Sequence, residues 1–265
     1  VVSERGLRDE QPVTGKCVVD LFCGLGGFSQ GCVDAGHTVV LAVDNWKEQL
    51  AGHRRNHPRA AHACMCLGDE TEEDLVRLIA RAVPDGADWH MHASPPCQKA
   101  SKMRAVKPGY GGMDVETALK PCTWFIKLVM RLKPTTWSME QVNIGELRGM
   151  LQFGKELYPD TLDYEVAFMD QFGVPQSRKR MFAGSPSLIT RIRNDTSLRA
   201  PAPIVTDIIT PPANAVWMRS SVGMTPTATR QERHGDVRPV ASLSWTCTAH
   251  HPHAWLTHDR KPVSY

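Results

Sequence analysis

Apolar residues along this chain fall into short blocks separated by polar turns, and the spacing within the blocks alternates between two kinds. Lys16–Phe22 (KCVVDLF) is a near-continuous apolar run, as a strand buried on both faces requires, and Cys23–Gly27 (CGLGG) follows as its turn. Phe28–Ala35 suits a short helix, and Thr38–Val43 (TVVLAV) a second buried strand that ends in Asp44. Over Glu72–Val83, residues Leu75, Leu78, Ile79 and Val83 recur at helical spacing and share one face. Trp89–Ser94 predicts a third strand that runs into Pro95-Pro96. Phe125, Leu128, Val129 and Leu132 place a helix over Thr123–Leu132, and Thr135–Met139 predicts the next strand. Two more strands are expected near Tyr164–Met169 and Met181–Ala183, flanking a loop with Gln176, Arg178 and Arg180. Strands alternating with helices predict an α/β fold with a doubly wound, mainly parallel sheet covered on both faces. Ligands of such sheets bind at the carboxyl ends of the strands.

After Gly184 the pattern changes. Ser185–Arg238 holds six prolines, seven arginines and four acidic residues with weak periodicity, which predicts a separate, loop-rich, mildly basic region. The chain then runs on to Tyr265 with no evident closing element.

Composition narrows the picture only a little. Hydrophobic residues make up 42% and charged residues 22%, ordinary values for a globular protein. No apolar run approaches the ~18 residues of a membrane span, and the polar opening VVSERGLRDEQPVTGK lacks the apolar centre of a secretory signal. The expectation is an intracellular protein, nuclear if eukaryotic and cytoplasmic if bacterial or viral. A formal net charge of +3 permits nucleic-acid binding without arguing for it. Cys64 and Cys66 form a CxC with no second Cys or His pair at metal-ligand spacing, so reduced thiols are expected. His90 and His92 flank Met91, and His250, His251 and His253 cluster near the end. They are read as satisfied or solvated side chains, and no metal ligand is assigned.

The residues that carry chemistry gather at predicted strand ends. Asp20-Leu-Phe-Cys-Gly24-Leu-Gly26-Gly27 ends a strand and opens a helix, a turn that lets backbone approach a nucleoside-type cofactor. Asp44 stands where doubly wound folds set an acid against ribose hydroxyls. Asp69 falls at the end of a plausible edge strand. Singly, each acid is as well explained as a solvated loop carboxylate; together they outline an adenosine-shaped site.

Ala93-Ser94-Pro95-Pro96-Cys97-Gln98 is more specific, because two prolines before a cysteine fix a turn that holds a thiol above the sheet edge. A free thiol is only a few per cent thiolate at neutral pH, and nearby positive charge raises that fraction. Glu140 sits where its strand is expected to leave the sheet, and a carboxyl partly removed from water can hydrogen-bond as an acid. Gln176-Ser177-Arg178-Lys179-Arg180 brings a dense positive cluster to the same rim, with a solvated basic turn as its plainer reading.

These segments resemble the cytosine-C5 methyltransferase family of DNA and tRNA enzymes. The matching runs are DLFCGLGGFS, VDN followed by NHP, GDE, SPPCQ, EQV and FGVPQSRKR, in family order from Asp20 to Gly184. A weaker match runs from Arg238-Pro239 through Ser244-Trp245-Thr246. The resemblance implies a class I, Rossmann-like methyltransferase domain over 1–184 and a small target-recognition region over 185–238. The segment 239–265 would then begin the return to the catalytic domain.

It also implies S-adenosylmethionine as cofactor and S-adenosylhomocysteine as product. Phe22, Gly24 and Gly26 would lie at the cofactor turn, Asp44 at the ribose and Asp69 by the adenine. Cys97 would add to C6 of an extrahelical cytosine while Glu140 supports protonation at N3, with Arg178 and Arg180 holding base and phosphate. C5 would then take the methyl group, and loss of the C5 proton would release the thiol. Base flipping is expected because the C5–C6 faces are closed inside a stack.

Three departures from the family pattern stand out. Gln141 replaces the usual Asn, which normally steadies the Cys loop, so loop order is placed in doubt. Asp44 replaces a Glu. The family's closing segment does not follow Tyr265, which leads to the expectation of a truncated chain or a second polypeptide supplying that piece. DNA is the expected partner and substrate, with tRNA as the alternative under the same chemistry. A catalytically silent nucleic-acid-binding or regulatory subunit is the reading from another class.

Overall fold

The computed structural model describes residues 15–96, 115–174, 176 and 178–202, with the backbone of four short strands beyond. The chain divides into two units, residues 1–165 with 181–193, and 166–180 with 194–265.

The first unit is organised by a seven-stranded sheet in the order β3-β2-β1-β4-β5-β7-β6. Its strands are β1 (Cys17–Leu21), β2 (Thr38–Asp44), β3 (Ala61–Cys64), β4 (Trp89–Ala93), β5 (Thr136–Val142), β6 (Asp163–Phe168) and β7 (Lys179–Gly184). The pairs β1–β2, β2–β3, β1–β4 and β4–β5 are all parallel. The chain therefore starts in the middle, winds outward to β3, and returns to the other side at β4. That reversal leaves a crevice beyond the carboxyl ends of β1 and β4, the usual place for a ligand.

β1 is buried along its whole length, as its near-continuous apolar run demands, with Asp20 the one polar residue in it. α1 (Gly27–Asp34), α2 (Lys47–Asn56), α3 (Glu72–Ala82), α4 (Val115–Leu132), α5 (Gly145–Leu157) and α6 (Pro186–Asn194) connect and cover the strands. Leu75 and Ile79 are the buried face of α3, as their spacing predicts. Phe125, Leu128 and Val129 do the same for α4, where Phe125 meets Trp137 of β5 edge to face, centroids 5.9 Å apart.

Four expectations need correction. α4 begins at Val115 rather than Thr123, with Pro121 inside it. A proline forfeits one backbone hydrogen bond but does not stop a helix whose later turns bury this much apolar surface. β5 runs on to Val142, so Glu140 and Gln141 lie inside the strand rather than where it leaves the sheet. The edge strand ends at Cys64, and Asp69 instead opens a 3-10 turn, Asp69–Thr71, tied back by Thr71 Oγ1 to the Cys66 carbonyl. The chain just past Gly184 is helical, since α6 carries a buried Ile189 that weak overall periodicity concealed.

In the second unit, β8 (Val216–Met218), β9 (Val237–Arg238), β10 (Ala254–Leu256) and β11 (Pro262–Val263) form a separate antiparallel sheet in the order β11-β10-β8-β9. Among the described residues no helix is long and apolar enough to cross a membrane.

Candidate functional site

The Gly-rich turn after β1 has the strained geometry its sequence suggests. Phe22 takes a left-handed backbone conformation, φ 55°, which a bulky residue holds only when its surroundings enforce it. Its ring stands edge-on against Trp124 of α4, centroids 6.4 Å apart. Gly24 and Gly26 also have positive φ. A β-carbon on Gly26 would sit 2.8 Å from the His57 ring, so glycine is required there by both backbone and space.

Asp44 closes the turn from the neighbouring strand. Its Oδ2 accepts the Gly24 amide at 2.9 Å and its Oδ1 accepts the Trp46 amide at 2.8 Å. Each carboxylate oxygen has capacity for a second donor, so this acid anchors the turn and keeps acceptor capacity beyond it. Trp46, which the sequence reading passed over, is 54% exposed at the start of α2. The signal that marks it is an aromatic two residues past a strand-end acid. The Met65 amide bonds the Asp44 carbonyl, and Asn45 Nδ2 reaches the exposed Cys66 thiol, so the end of β3 is tied to the same corner.

Beneath this turn runs a buried polar chain. Ser29 Oγ donates to Asp20 Oδ2 at 2.7 Å, His53 Nε2 lies 3.0 Å from the same hydroxyl, and His53 Nδ1 lies 2.9 Å from His62 Nε2. Burial pushes Asp20 up to about 7, with the Asp44 charge adding to it against the Ser29 hydrogen bond. Burial pulls His53 and His62 down to about 4. Asp20 Oδ1 is buried with no hydrogen-bond partner. Burial likewise pushes the Cys23 thiol far up and Cys32 to about 12, so neither is a nucleophile at neutral pH.

On the other side of the crevice, β4 ends in Ala93 and leads to Ser94, Pro95 and Pro96. Cys97 lies outside the described residues. Gln141 of β5 is buried, and its Nε2 donates to the Pro95 carbonyl at 3.0 Å, while its Oε1 accepts the Val142 amide at 2.7 Å. The longer amide therefore holds the carbonyl of Pro95, and the Cys loop whose order its departure from the family's Asn put in doubt lies outside the described residues. Glu140 is half-buried, one residue before Gln141.

Phe22, Gly24, Gly26 and Asp44 are thus brought together, and Asp69 lies just past the tied end of β3. Arg178 and Arg180 belong to the second unit. There the Arg178 carbonyl accepts the Met169 amide at 2.9 Å, and Arg180 Nη1 donates to the Lys179 carbonyl at 2.9 Å. Among the described residues no group of three His, Cys, Asp or Glu side chains is placed to hold a metal ion.

Comparison with known proteins gives a consistent result. The chain is 32% identical over 174 residues to the type II methyltransferase M.XorII of Xanthomonas oryzae, covering 62% of this chain and 38% of that one. It is 28% identical over 167 residues to M.HgiDI of Herpetosiphon aurantiacus, covering 62% and 50%. The chain thus spans half or less of these two relatives' length. The Dnmt2 methyltransferase of S. pombe aligns structurally with a TM-score of 0.44 and 18% identity, over 64% of this chain and 50% of that one. The sequence model of the C-5 cytosine-specific DNA methylases matches residues 17–202. That match takes in the Gly-rich turn, the Pro-Pro-Cys turn, Glu140 and both arginines, and the chain belongs to the C-5 cytosine-specific DNA methylase family.

Proposed function

We propose that the chain carries the catalytic region of an S-adenosylmethionine-dependent DNA methyltransferase acting at C5 of cytosine. The observation that carries this reading is the built anchor between Gln141 and Pro95. A buried amide is held on the carbonyl two residues before Cys97, and Glu140 stands next to it on the same strand.

The residues of the first crevice suit the cofactor. Asp44 keeps spare acceptor capacity for ribose hydroxyls, and Asp69 supplies a further acceptor beyond β3. Trp46 offers an exposed indole face for adenine, and Phe22 with Gly24 and Gly26 lines the turn. When bound, S-adenosylmethionine supplies an electrophilic methyl group. The chain's own part is to add the Cys97 thiolate to C6 of the base, to hold a proton toward N3 through Glu140, and to fix base and phosphate through Arg178 and Arg180. Residues 185–238 form the target-recognition region in this reading, and DNA is the substrate on the strength of the family and its type II relatives.

Transfer of tritiated methyl to duplex DNA and to tRNA tests the reading, using the longest available chain that contains this sequence. Label in DNA that disappears in Cys97→Ala is the expected result. Label confined to tRNA moves the substrate, and silence with both overturns the enzymatic reading.

A further inference from the structure

One face of β4 and β5 carries an unbroken line of polar side chains that the reaction outlined above does not use. The strands pair in register, His90 with Thr136 and His92 with Ser138. His90 Nδ1 lies 2.9 Å from Thr136 Oγ1, and its Nε2 lies 2.9 Å from Ser138 Oγ. The same Ser138 hydroxyl is 2.8 Å from His92 Nδ1, and His92 Nε2 is 2.9 Å from Ser94 Oγ. Continuing that register one rung on the same face sets Ser94 beside Glu140. The line thus ends at the two strand positions from which the proposed thiol turn and the proposed acid emerge.

His92 is the junction of this line. Its ring is fully buried and stacks on Phe28, centroids 3.5 Å apart and planes within 10°. Phe28 is the second residue of α1, which opens directly from the Gly-rich turn. His92 therefore touches three elements at once: α1 through Phe28, β5 through Ser138, and the start of the Pro95-Pro96-Cys97 run through Ser94. Burial holds His90 down to about 4 and His92 well below the usual histidine range, so both rings are neutral at working pH. A neutral imidazole has one donor and one acceptor nitrogen, and a hydroxyl between two rings can donate to one and accept from the other. Every junction in the line can be satisfied, and the buried rings cost no stranded polar atom.

The Ser94 backbone is already held, since its amide donates to the Leu21 carbonyl at 3.2 Å. What His92 adds is a second point of attachment on the side chain, which fixes the direction in which the chain enters the two prolines. Pro95 and Pro96 each have a ring-locked φ, so that direction is transmitted over a short, stiff span.

We propose that His92 is a positioning residue for Cys97, registering residues 94–96, which lead into it, against the cofactor turn and against the strand of Glu140. This rests on the reading of Cys97 as nucleophile for its catalytic consequence, but the positioning itself can be measured without turnover. His92→Gln keeps an amide near the Nε2 position and can still reach Ser94, whereas His92→Asn reaches only as far as Nδ1 and loses Ser94. Ser94→Ala removes the far partner while leaving the histidine in place.

The experiment compares wild type, His92→Asn, His92→Gln and Ser94→Ala. It follows the rate of alkylation of Cys97 by iodoacetamide in the native protein, resolved by peptide mass spectrometry, with exposed Cys66 as internal standard. The expected result is a change of about fivefold or more at Cys97 in His92→Asn and Ser94→Ala, partial return in His92→Gln, and no change at Cys66. Methyl transfer in the same proteins should show kcat reduced tenfold or more with KM for the cofactor within twofold. Unchanged Cys97 alkylation in both Ser94→Ala and His92→Asn overturns the positioning role. Altered Cys97 rates in the variants, alongside a wild-type protein that never transfers methyl, sustain it and count against the catalytic reading alone.

Discussion

Gln141 Nε2 and the Pro95 carbonyl are joined by a 3.0 Å hydrogen bond buried between β5 and the turn that follows β4. The carbonyl belongs to a residue that stands between Ser94 and a second proline, at the end of the described part of this turn.

Gln141→Ala should therefore leave the Pro95 carbonyl without its partner. An unsatisfied buried acceptor costs roughly 1–3 kcal/mol, and the carbonyl that loses its partner stands two residues before Cys97. The expected outcome is a lower urea midpoint together with a loss of methyl transfer larger than the stability change explains at assay temperature. Gln141→Asn restores the residue type usual in the family, but on this backbone its shorter side chain leaves a gap, so recovery should be partial. Full wild-type kcat in Gln141→Ala would show that the anchor has no part in the reaction.

Gly26 and Gly27 are neighbours with opposite demands. Gly26 has φ 96° and meets the His57 ring at 2.8 Å from where a β-carbon would stand, whereas nothing lies within 4 Å of the same point on Gly27. Gly26→Ala should destabilise by about 2 kcal/mol or more, from left-handed strain and the collision. Gly27→Ala, at the first helical residue of α1, should be neutral or gain up to about 1 kcal/mol from lower backbone entropy. Thermal melts of the two variants settle the contrast, and equal losses would refute it.

Trp46 is the third target. Its exposed ring contributes little to the core, so Trp46→Ala should leave the melting temperature within a degree or two. If the indole covers adenine, stacking worth about 1–3 kcal/mol disappears. Binding of S-adenosylhomocysteine by calorimetry should then weaken about fivefold or more, with Trp46→Phe intermediate. Unchanged affinity would remove Trp46 from the site.

The doubly wound sheet was legible wherever apolar runs did the work. β1 and β2 read from sequence to within a residue or two from their apolar runs, and β4 from Trp89, Met91 and Ala93 leading into the two prolines. α2 was not visible, and β3 only as a plausible edge strand whose end was set too late, and the reason is chemical. Between Lys47 and Cys64 much of the interior is made of His53, His57 and His62 rather than aliphatic residues, so the hydrophobic pattern that marks a helix or a strand is missing. The turn residues Phe22, Gly24, Gly26 and Asp44 could be found from motif and strand position together. Gln141 could be read only as a departure, since its reach to Pro95 depends on the register between two strands. The His90–His92 line is the same case: alternating histidines on a strand look like satisfied core residues, which they are, and only the facing Thr136 and Ser138 reveal the continuous line.

The buried acid under the Gly-rich turn gives the last prediction. Asp20 has its folded-state pKa raised to about 7 by burial, from an ordinary value of 3.8. Between those values the folded protein binds a proton that the unfolded chain has released, so stability falls as pH rises through this window. Asp20 thus contributes most below about pH 4 and least above about 7, with a span of roughly 4 kcal/mol as an upper limit. His53 and His62 act in the opposite sense, because their pKa values are lowered to about 4 and their contribution is lost as pH falls from 6.5. Those histidines remain in Asp20→Asn, so subtracting the two proteins isolates the acid to the extent that its charge does not shift theirs. The variant carries a neutral amide that can still bond Ser29, and its melting temperature relative to wild type should rise between pH 5 and about pH 7 and level off by pH 8. A difference that stays flat across that range would mean that Asp20 keeps an ordinary carboxyl pKa in the fold. Its orphaned Oδ1 would then need a partner, most simply a buried water, to carry the charge.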